Sequence, residues 1–455
     1  MRYWICALLC FSGTLSAQPL SLQQAWQRVE AVSDKLQAQQ QAHQRAEAEL
    51  GVANQLGDPS LTLRGSYLRL DRAVQLDARA INPLPQMLTL LPPGLLPPLP
   101  DSAWKTEISD RDIYHASLQA VWPLYVGGRI EAAKSIKAAE VEQQKQQTRL
   151  DTQERFSSLV ERYFALALTH RVEQLHLARL DTLKRQLANA EALRHQGQIA
   201  EVERLDAQVA LEQGQVALSQ ASRRRVLAQM ALDTLLQRQG TELSQSLLLP
   251  RQMPDLDQWH RQMLATHPAL ALFGAKEAQA QGAINAERGR YKPELALVGN
   301  YSFDVDESLM SELEPEWMVG LTLKVPLVTN DGRNDRVRAA KSAQLQVQHL
   351  KAQTRQDLEL LMASREQQLS QARHEYLALA SAESLAKENL RLRQLAFAQG
   401  LGTSIDQVEA GDKLLEVQTA RAAAQYRCLV ALGQLAAMSD NQSLLFQLLK
   451  STEIQ

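Results

Sequence analysis

Two kinds of hydrophobic spacing alternate along the chain. In Trp317, Val319, Leu321, Leu323 and Val325 every second residue is apolar, while Gly320, Thr322 and Lys324 fill the positions between. Leu295, Leu297, Gly299, Tyr301 and Phe303 stand against Asn300 and Ser302 in the same way, and Tyr114, Ala116, Leu118, Ala120 and Trp122 against His115, Ser117 and Gln119. Leu61, Leu63, Gly65 and Tyr67 oppose Thr62, Arg64 and Ser66 with a weaker contrast. Successive strand side chains point to opposite faces, so the pattern predicts strands over about 60–70, 112–124, 293–303 and 316–326, each with one apolar face.

The second spacing is helical. No glycine or proline occurs between Gly128 and Gly197, or between Gly332 and Gly400, intervals of 68 and 67 residues rich in Ala, Gln, Leu, Glu, Arg and Lys. Such composition predicts long helices over 129–195 and 333–398, each able to reach roughly 100 Å. Leu180, Leu183, Leu187 and Ala190, and later Leu369, Ala372, Tyr376 and Leu379, follow the 3-4-3 spacing of a coiled-coil seam. An ordinary helical bundle shows the same seam. Shorter helical stretches flank the long ones, at about 21–56, 200–239, 256–290 and 403–438.

The plan occurs twice. Trp122-Pro123-Leu124 corresponds to Val325-Pro326-Leu327, and each is followed by a Gly-Arg pair that opens a long helix, Gly128-Arg129 and Gly332-Arg333. Gln196-Gly197 corresponds to Gln399-Gly400, with Glu203 and Asp206 after the first pair and Asp406 and Glu409 at the same distances after the second. Asp58-Pro59-Ser60-Leu61 matches Lys292-Pro293-Glu294-Leu295. These ordered landmarks predict an internal duplication, with residues 18–250 as one repeat and 251–455, including a C-terminal tail, as the other.

Composition then narrows the class. Arg2, the mostly apolar run Trp4 to Leu15 and the small residues Ser16-Ala17 read as a signal peptide, residues 1–17, cleaved after Ala17. Cys6 and Cys10 leave with it, so Cys428 remains alone and no internal disulfide is expected. Acylation at Cys10 is the weaker alternative, because Leu8-Leu9 lacks the small residue expected just upstream. A net charge of −2 carries no nucleic-acid footprint. After the signal no apolar run reaches the length of a transmembrane helix, so an exported chain of this kind is either soluble or crosses a membrane as strands.

Each predicted strand has the length that a tilted strand needs to cross a bilayer. A soluble sheet with one face on a core remains the common alternative for any single strand. Four strands fall short of the roughly eight needed to close a barrel, whereas three chains supply 12. The expected lipid-facing residues are Leu118, Trp122, Leu297, Tyr301, Val319, Leu321 and Leu323. Asp71 to Arg111 carries seven prolines, Pro83 to Pro100, and reads as an irregular loop between the first two strands; Asp304 to Pro315 is a shorter acidic one.

Enzymatic chemistry finds no foothold. The nine histidines never fall at i, i+4, and no His-Glu-x-x-His, paired-cysteine, Gly-x-Ser-x-Gly or P-loop motif occurs. No catalytic residue, cofactor or metal is expected.

The duplicated order, the Pro-Leu…Gly-Arg junctions and the glycine-plus-acid hairpin tips together resemble the TolC-like outer-membrane efflux protein family over nearly the whole mature chain. The resemblance implies an α+β membrane protein: a homotrimer with a 12-stranded outer-membrane β-barrel, four strands per protomer, continued by a long α-helical coiled-coil periplasmic tunnel. It implies a passive exit channel in the outer membrane of a Gram-negative cell, for a tripartite efflux pump (multidrug efflux among the options) or type I secretion system, with drug efflux, metal efflux and protein secretion all open. Its partners would be outer-membrane lipid, a periplasmic adaptor and an inner-membrane RND, ABC or MFS transporter. Gln196-Gly197 and Gln399-Gly400 become adaptor-docking tips. Asp406 and Glu409 match the family's constriction acids and Glu203 its other tip acid, with Asp206 on the same helix face as Glu203, while Gly402 replaces an expected gate arginine. Acids in a first helical turn also complement the helix dipole, and Ser404 with Gln407 reads as a capping box. The rival reading is a soluble periplasmic coiled-coil adaptor-type protein, which accounts for the helices but not for four strands or a duplication.

Overall fold

The computed structural model describes residues 19–80, 100–304 and 315–450. The expected signal peptide, the prolines from Pro83 to Pro98 and most of the acidic loop lie outside the described residues. In chain order the elements are α1 (Leu22–Val32), α2 (Asp34–Asn54), β1 (Ser60–Arg69), β2 (Val74–Asp77), β3 (Lys105–Ser109), β4 (Asp112–Val126), α3 (Arg129–His195) and α4 (Glu201–Leu236). There follow α5 (Leu256–Thr266), α6 (Pro268–Gly289), β5 (Glu294–Asp304), β6 (Trp317–Lys324), α7 (Arg333–Ala398), α8 (Ser404–Met438) and α9 (Gln442–Lys450).

The chain divides into two compact units, and each of the two repeats expected from the sequence contributes residues to both. One comprises residues up to Arg45, Glu142–Ala275 and Gln348 onwards; the other comprises Ala46–Val141 and Lys276–Val347.

The first unit is helical. Its core gathers Leu22, Trp26 and Val29 of α1, Phe156, Leu159, Val160, Tyr163 and Phe164 of α3, and Leu232 and Leu236 of α4. Trp259 and Met263 of α5, Met362 of α7, Leu429, Leu432 and Leu435 of α8 and Leu445 of α9 complete it. Phe156 meets Trp26 edge-on at 5.1 Å and Phe446 at 5.8 Å, the geometry aromatic rings prefer. The one polar atom of Tyr163 is not stranded: its hydroxyl donates to Leu20 O at 2.8 Å. Gly433 lets α8 approach α3 closely, since a Cβ there would lie 2.4 Å from Val160 Cγ1.

Two flanking helices expected to be continuous are broken. The stretch 21–56 divides into α1 and α2 at Ser33, and 256–290 into α5 and α6 at His267. Both break residues are extended, and their N–H groups close the preceding helices on Val29 O and Met263 O, each at 2.9 Å. For His267 the cause is Pro268, whose ring excludes the residue before it from the helical region. The His267 Nδ1 then accepts the Ala269 N–H at 3.2 Å and caps the next helix. Helices α1 and α5 both have 11 residues, and α2 and α6 have 21 and 22.

The second unit holds an antiparallel sheet in the order β1-β4-β5-β6. Where β4 leaves for α3 and β5 enters from α6, Arg129 bonds Glu294 at 2.6 Å. The segment 71–111 is not wholly irregular as its proline content suggests. Val74–Asp77 pairs with Lys105–Ser109 in a separate two-stranded sheet, because its prolines stop at Pro100 and leave both flanks free to donate ladder bonds.

Candidate functional sites: the strand face and the hairpin tips

The register of the four-stranded sheet aligns its alternating side chains row by row. Leu63, Leu118, Tyr301 and Trp317 face one another across the strands, as do Leu61, Ala120, Gly299 and Val319, then Trp122, Leu297 and Leu321, then Leu295 and Leu323. Directly opposed residues share a face, so all seven residues proposed from the sequence to meet lipid stand on one side of the sheet. Leu63 is 69% exposed and Leu321 66% exposed. Isolated apolar residues on a surface mean little, but a contiguous patch needs a partner.

Aromatics end the patch on both sides. Tyr67 and Tyr114 stack at 4.9 Å near the loop end, where the Tyr67 hydroxyl donates to Asp112 at 2.7 Å. Trp122 lies toward the helices, its indole N–H given to Gly57 O at 3.1 Å. A ring in the apolar band with its polar handle turned out of it suits a membrane interface. The opposite face carries Thr62, Gln119 and Asn300 in one row and Arg64, Ser117 and Ser302 in the next.

The two hairpin tips of the helical unit are built alike at their first corners. Gly197 and Gly400 follow α3 and α7 with φ of +72° and +71°, a left-handed turn that costs glycine nothing. The residue after each glycine donates back five positions, Gln198 to Leu193 O at 3.0 Å and Leu401 to Ala396 O at 2.8 Å. The glycines donate to Arg194 O at 2.8 Å and Phe397 O at 2.9 Å. This pair of bonds is a Schellman motif, made twice. Gln196 and Gln399 are the exposed residues just before the turns. Ala190, Ala207 and Phe397 pack between the hairpins with Leu187, Leu193 and Ile199 around them.

The second corners differ. Helix α4 starts at Ala200, which has no side chain to cap it, and Glu201 takes ion pairs from Arg194 at 2.8 Å and Arg204 at 2.7 Å. Helix α8 is capped by Thr403, whose hydroxyl accepts the Asp406 N–H while the Asp406 carboxylate accepts the Thr403 N–H at 3.0 Å. The capping box is therefore Thr403 with Asp406, one position ahead of the Ser404–Gln407 pair expected from the sequence. Thr403 is the extended residue, whereas Ser404 is already helical and buried.

Of the four tip acids, two are engaged. Asp406 Oδ1 also accepts from Arg393 Nη1 at 3.0 Å. The Thr403 hydroxyl and N–H, with Arg393 nearby, hold the Asp406 carboxyl below the usual carboxylate range. Glu203 reaches from the first hairpin to the second and accepts the Ser404 N–H, so it caps a helix it does not belong to. Asp206 and Glu409 make no hydrogen bond or ion pair with any described residue. Further along, buried Arg179 of α3 donates to Asp412 Oδ1 and Val408 O of α8, both at 2.9 Å. The Thr-x-x-Asp spacing was a legible sign of the cap, but Arg393 and Arg179 carried no local signal.

Among the described residues no helix is long and apolar enough to cross a membrane, and no group of three or more His, Cys, Asp or Glu is placed to hold a metal.

Paired long helical hairpins, together with a sheet whose exposed apolar face is rimmed by aromatics, are the parts of an outer-membrane channel protomer. Residues 22–237 and 259–440 match the family described as outer membrane efflux protein, and the chain belongs to that family. Its members are transport channels and not enzymes. The fold agrees with solved structures. CusC superposes with a TM-score of 0.74 at 14% identity, covering 92% of this chain and 91% of that one. VceC of Vibrio cholerae gives 0.73 at 14%, covering 92% and 96%. The MtrE channel of Neisseria gonorrhoeae gives 0.70 at 18%, covering 92% and 89%. The comparison with curated proteins returned no match.

Proposed function

We propose that three copies of this chain close a 12-stranded barrel in the outer membrane, joined to a tunnel of α-helical hairpins, and that the assembly conducts substrates passively out of a Gram-negative cell. The observation that carries this reading is the sheet's apolar face, aligned across all four strands and left uncovered by the protomer. Four strands leave two unpaired edges, β1 and β6, and an exposed edge calls for pairing or covering. Pairing β6 of one copy with β1 of the next removes both edges and puts every apolar row on the outside. An adaptor-type soluble protein leaves that face unexplained.

The repeated 11-residue helix, second helix, sheet strands, long helix and hairpin partner support the internal duplication. A signal peptide ending at Ala17 delivers the chain for export. Val202, Leu205, Leu401 and Ile405 are exposed beside Gln196-Gly197 and Gln399-Gly400, apolar surface suited to a helical adaptor. That adaptor would link the channel to an RND, ABC or MFS transporter, in an efflux pump or a type I secretion system. Glu203, Asp206, Asp406 and Glu409 form the periplasmic gate, with Glu409 and Asp206 the acids free to meet ions.

Detergent-extracted protein from outer membranes tests the assembly directly. The expected result is a heat-modifiable species of three chains that forms ion-conducting pores in planar bilayers. A monomer without conductance, recovered from the soluble periplasm, overturns the proposal.

A further inference from the structure

Alongside the extended segment 240–248 the helical unit holds a cavity of about 950 Å³, walled also by α3, α4, α7 and α8. That is the size of a small-molecule site. The segment is fixed by its own bonds. The Asp233 carboxylate takes the Gly240 and Thr241 N–H groups at 2.9 and 3.1 Å, Leu20 exchanges backbone bonds with Glu242 and Ser244, and the Gln245 N–H donates to the Tyr163 hydroxyl at 3.3 Å. The walls are therefore ordered before anything enters, and an occupant is spared that cost.

Five ionised side chains line the cavity: Arg171 of α3, Arg225 of α4, Glu242 of the segment, Glu383 of α7 and Arg421 of α8. Glu383 is buried and saturated, accepting from Lys387 at 2.9 Å, Gln418 at 3.1 Å and Arg421 at 2.6 Å. Arg421 in turn lies 4.7 Å over the Tyr376 ring. Glu173, two residues after Arg171, braces Arg225 at 2.6 Å and so sets it level with Arg171 across the hairpin. The Arg225 Nη2 has no partner among the described residues. Glu242 alternates with Leu243 and Leu247, which belong to the core side, so its exposed carboxylate stands on the solvent side of the segment. With the partners Glu173 and Lys387 included, four cations meet three carboxylates. Arg171 is the cation left over: it is exposed and bonds no described residue. Leu166, Ala167, Leu247 and Ala422 give the same cavity an apolar wall.

The geometry points to a binding site for an organic anion with an apolar or aromatic body. Its carboxylate or sulfonate meets Arg171 and the free Nη2 of Arg225, and its body lies along the leucine and alanine wall. A guanidinium suits such a group because its parallel N–H donors match two oxygens at once. Both hairpins, α3–α4 and α7–α8, contribute to the walls, so an occupant favours the arrangement in which they lie side by side. Every lining residue belongs to the helical unit of one chain, and the site does not rest on the trimeric channel reading.

The test titrates the purified full chain with naphthalene-2-sulfonate in a calorimeter, with detergent alone as the blank. Naphthalene-2-methanol and the naphthalene-2-methylammonium ion serve as uncharged and cationic counterparts. One sulfonate per chain is expected, the alcohol binding more weakly and the ammonium ion most weakly. Arg171→Gln should weaken the sulfonate by about tenfold, the loss of a charge-assisted hydrogen bond, and Arg171→Lys should recover part of it. Gln174→Glu, which sets a carboxylate one turn from Arg171 on the cavity wall, should weaken it as well. Equal affinity for the three compounds overturns the site, as does equal affinity of wild type and Arg171→Gln for the sulfonate. The absence of saturable binding by about 1 mM overturns it too. A protein that binds the sulfonate but forms no pore removes the channel reading and leaves this site, whereas a conducting trimer that binds none of the three does the reverse.

Discussion

Placing an arginine at successive rows of the sheet measures which face meets lipid and where the bilayer lies. On β4, Tyr114 and Trp122 mark the two aromatic rims, eight residues apart, and at about 3.4 Å per residue with a tilt of about 40° they span roughly 21 Å of depth. That is close to the apolar band of about 25 Å in outer-membrane barrels. The midpoint falls at Leu118, in the row with Leu63, Tyr301 and Trp317. Trp122 lies four residues further along the same strand, at the rim. An arginine costs about 2–4 kcal/mol at the midplane and about 0–1 kcal/mol near an interface. Leu63→Arg should therefore cost about 6–12 kcal/mol per trimer and Trp122→Arg no more than about 3 kcal/mol from its depth. Thr62→Arg, adjacent to Leu63 but on the polar face, should assemble normally. Heat-modifiable trimer in the outer-membrane fraction, followed by urea unfolding from liposomes, gives the order. Loss of trimer in Thr62→Arg equal to that in Leu63→Arg refutes the face assignment. Equal loss in Leu63→Arg and Trp122→Arg refutes the depth.

Three further outcomes follow from the helical unit. Burial works against ionisation of Glu383, but donation from Lys387, Gln418 and Arg421 prevails and holds its carboxyl down to about 2. A depressed folded-state value means that its contribution is complete above its ordinary 4.5 and drains away as pH falls toward 2; Glu383→Gln should flatten that part of a stability–pH curve. Burial pushes the Cys428 thiol up to about 11, so maleimide should leave the native protein unlabelled at pH 8 and label it only after denaturation. Glu203→Gln should weaken the cap it provides for α8 by about 0.5–2 kcal/mol, seen as faster backbone hydrogen exchange at Ser404, whereas unchanged exchange there removes Glu203 from this role.

Much of the fold is written in local patterns. The long helices α3 and α7 needed only the absence of glycine and proline over some 67 residues. The four strands needed only period-two alternation, which survives because one face of the sheet is apolar throughout. What escaped were features set by a single residue against its context. The break at His267 follows from Pro268, although helical sequence continues on both sides of it. Ser33 is harder, since serine is tolerated inside helices and nothing nearby forbids one. The pairing of β2 with β3 joins residues separated by a proline-rich stretch. Loop closure of that kind leaves no periodic trace in short strands.

The tips were legible in position and illegible in wiring, and the reason is general. A glycine that ends a helix announces itself, because few other residues adopt a positive φ there. An acid that begins a helix does not announce its partner. Equal spacing after Gly197 and Gly400 made the four acids look like two equivalent pairs, but the structure gives them unequal work. Asp406 closes its own capping box and holds Arg393; Glu203, after an alanine N-cap with no side-chain cap, crosses to the Ser404 N–H instead. Asp406 secures the start of α8 from within its own hairpin and Glu203 secures it from the other, so neutralising either disturbs a helix start before it changes any field in a pore. Glu409 and Asp206 have no such duty among the described residues, so a change in ion selectivity on neutralising them reports on the proposed gate alone. The Arg393–Asp406 pair also supplies a basic partner at the tip without an arginine at position 402. It lies within one hairpin, whereas the Glu203 bridge and the Arg179 bonds to Asp412 and Val408 O join hairpin to hairpin. Any motion that spreads the two hairpins must break those inter-hairpin bonds and can leave the Asp406 pair intact.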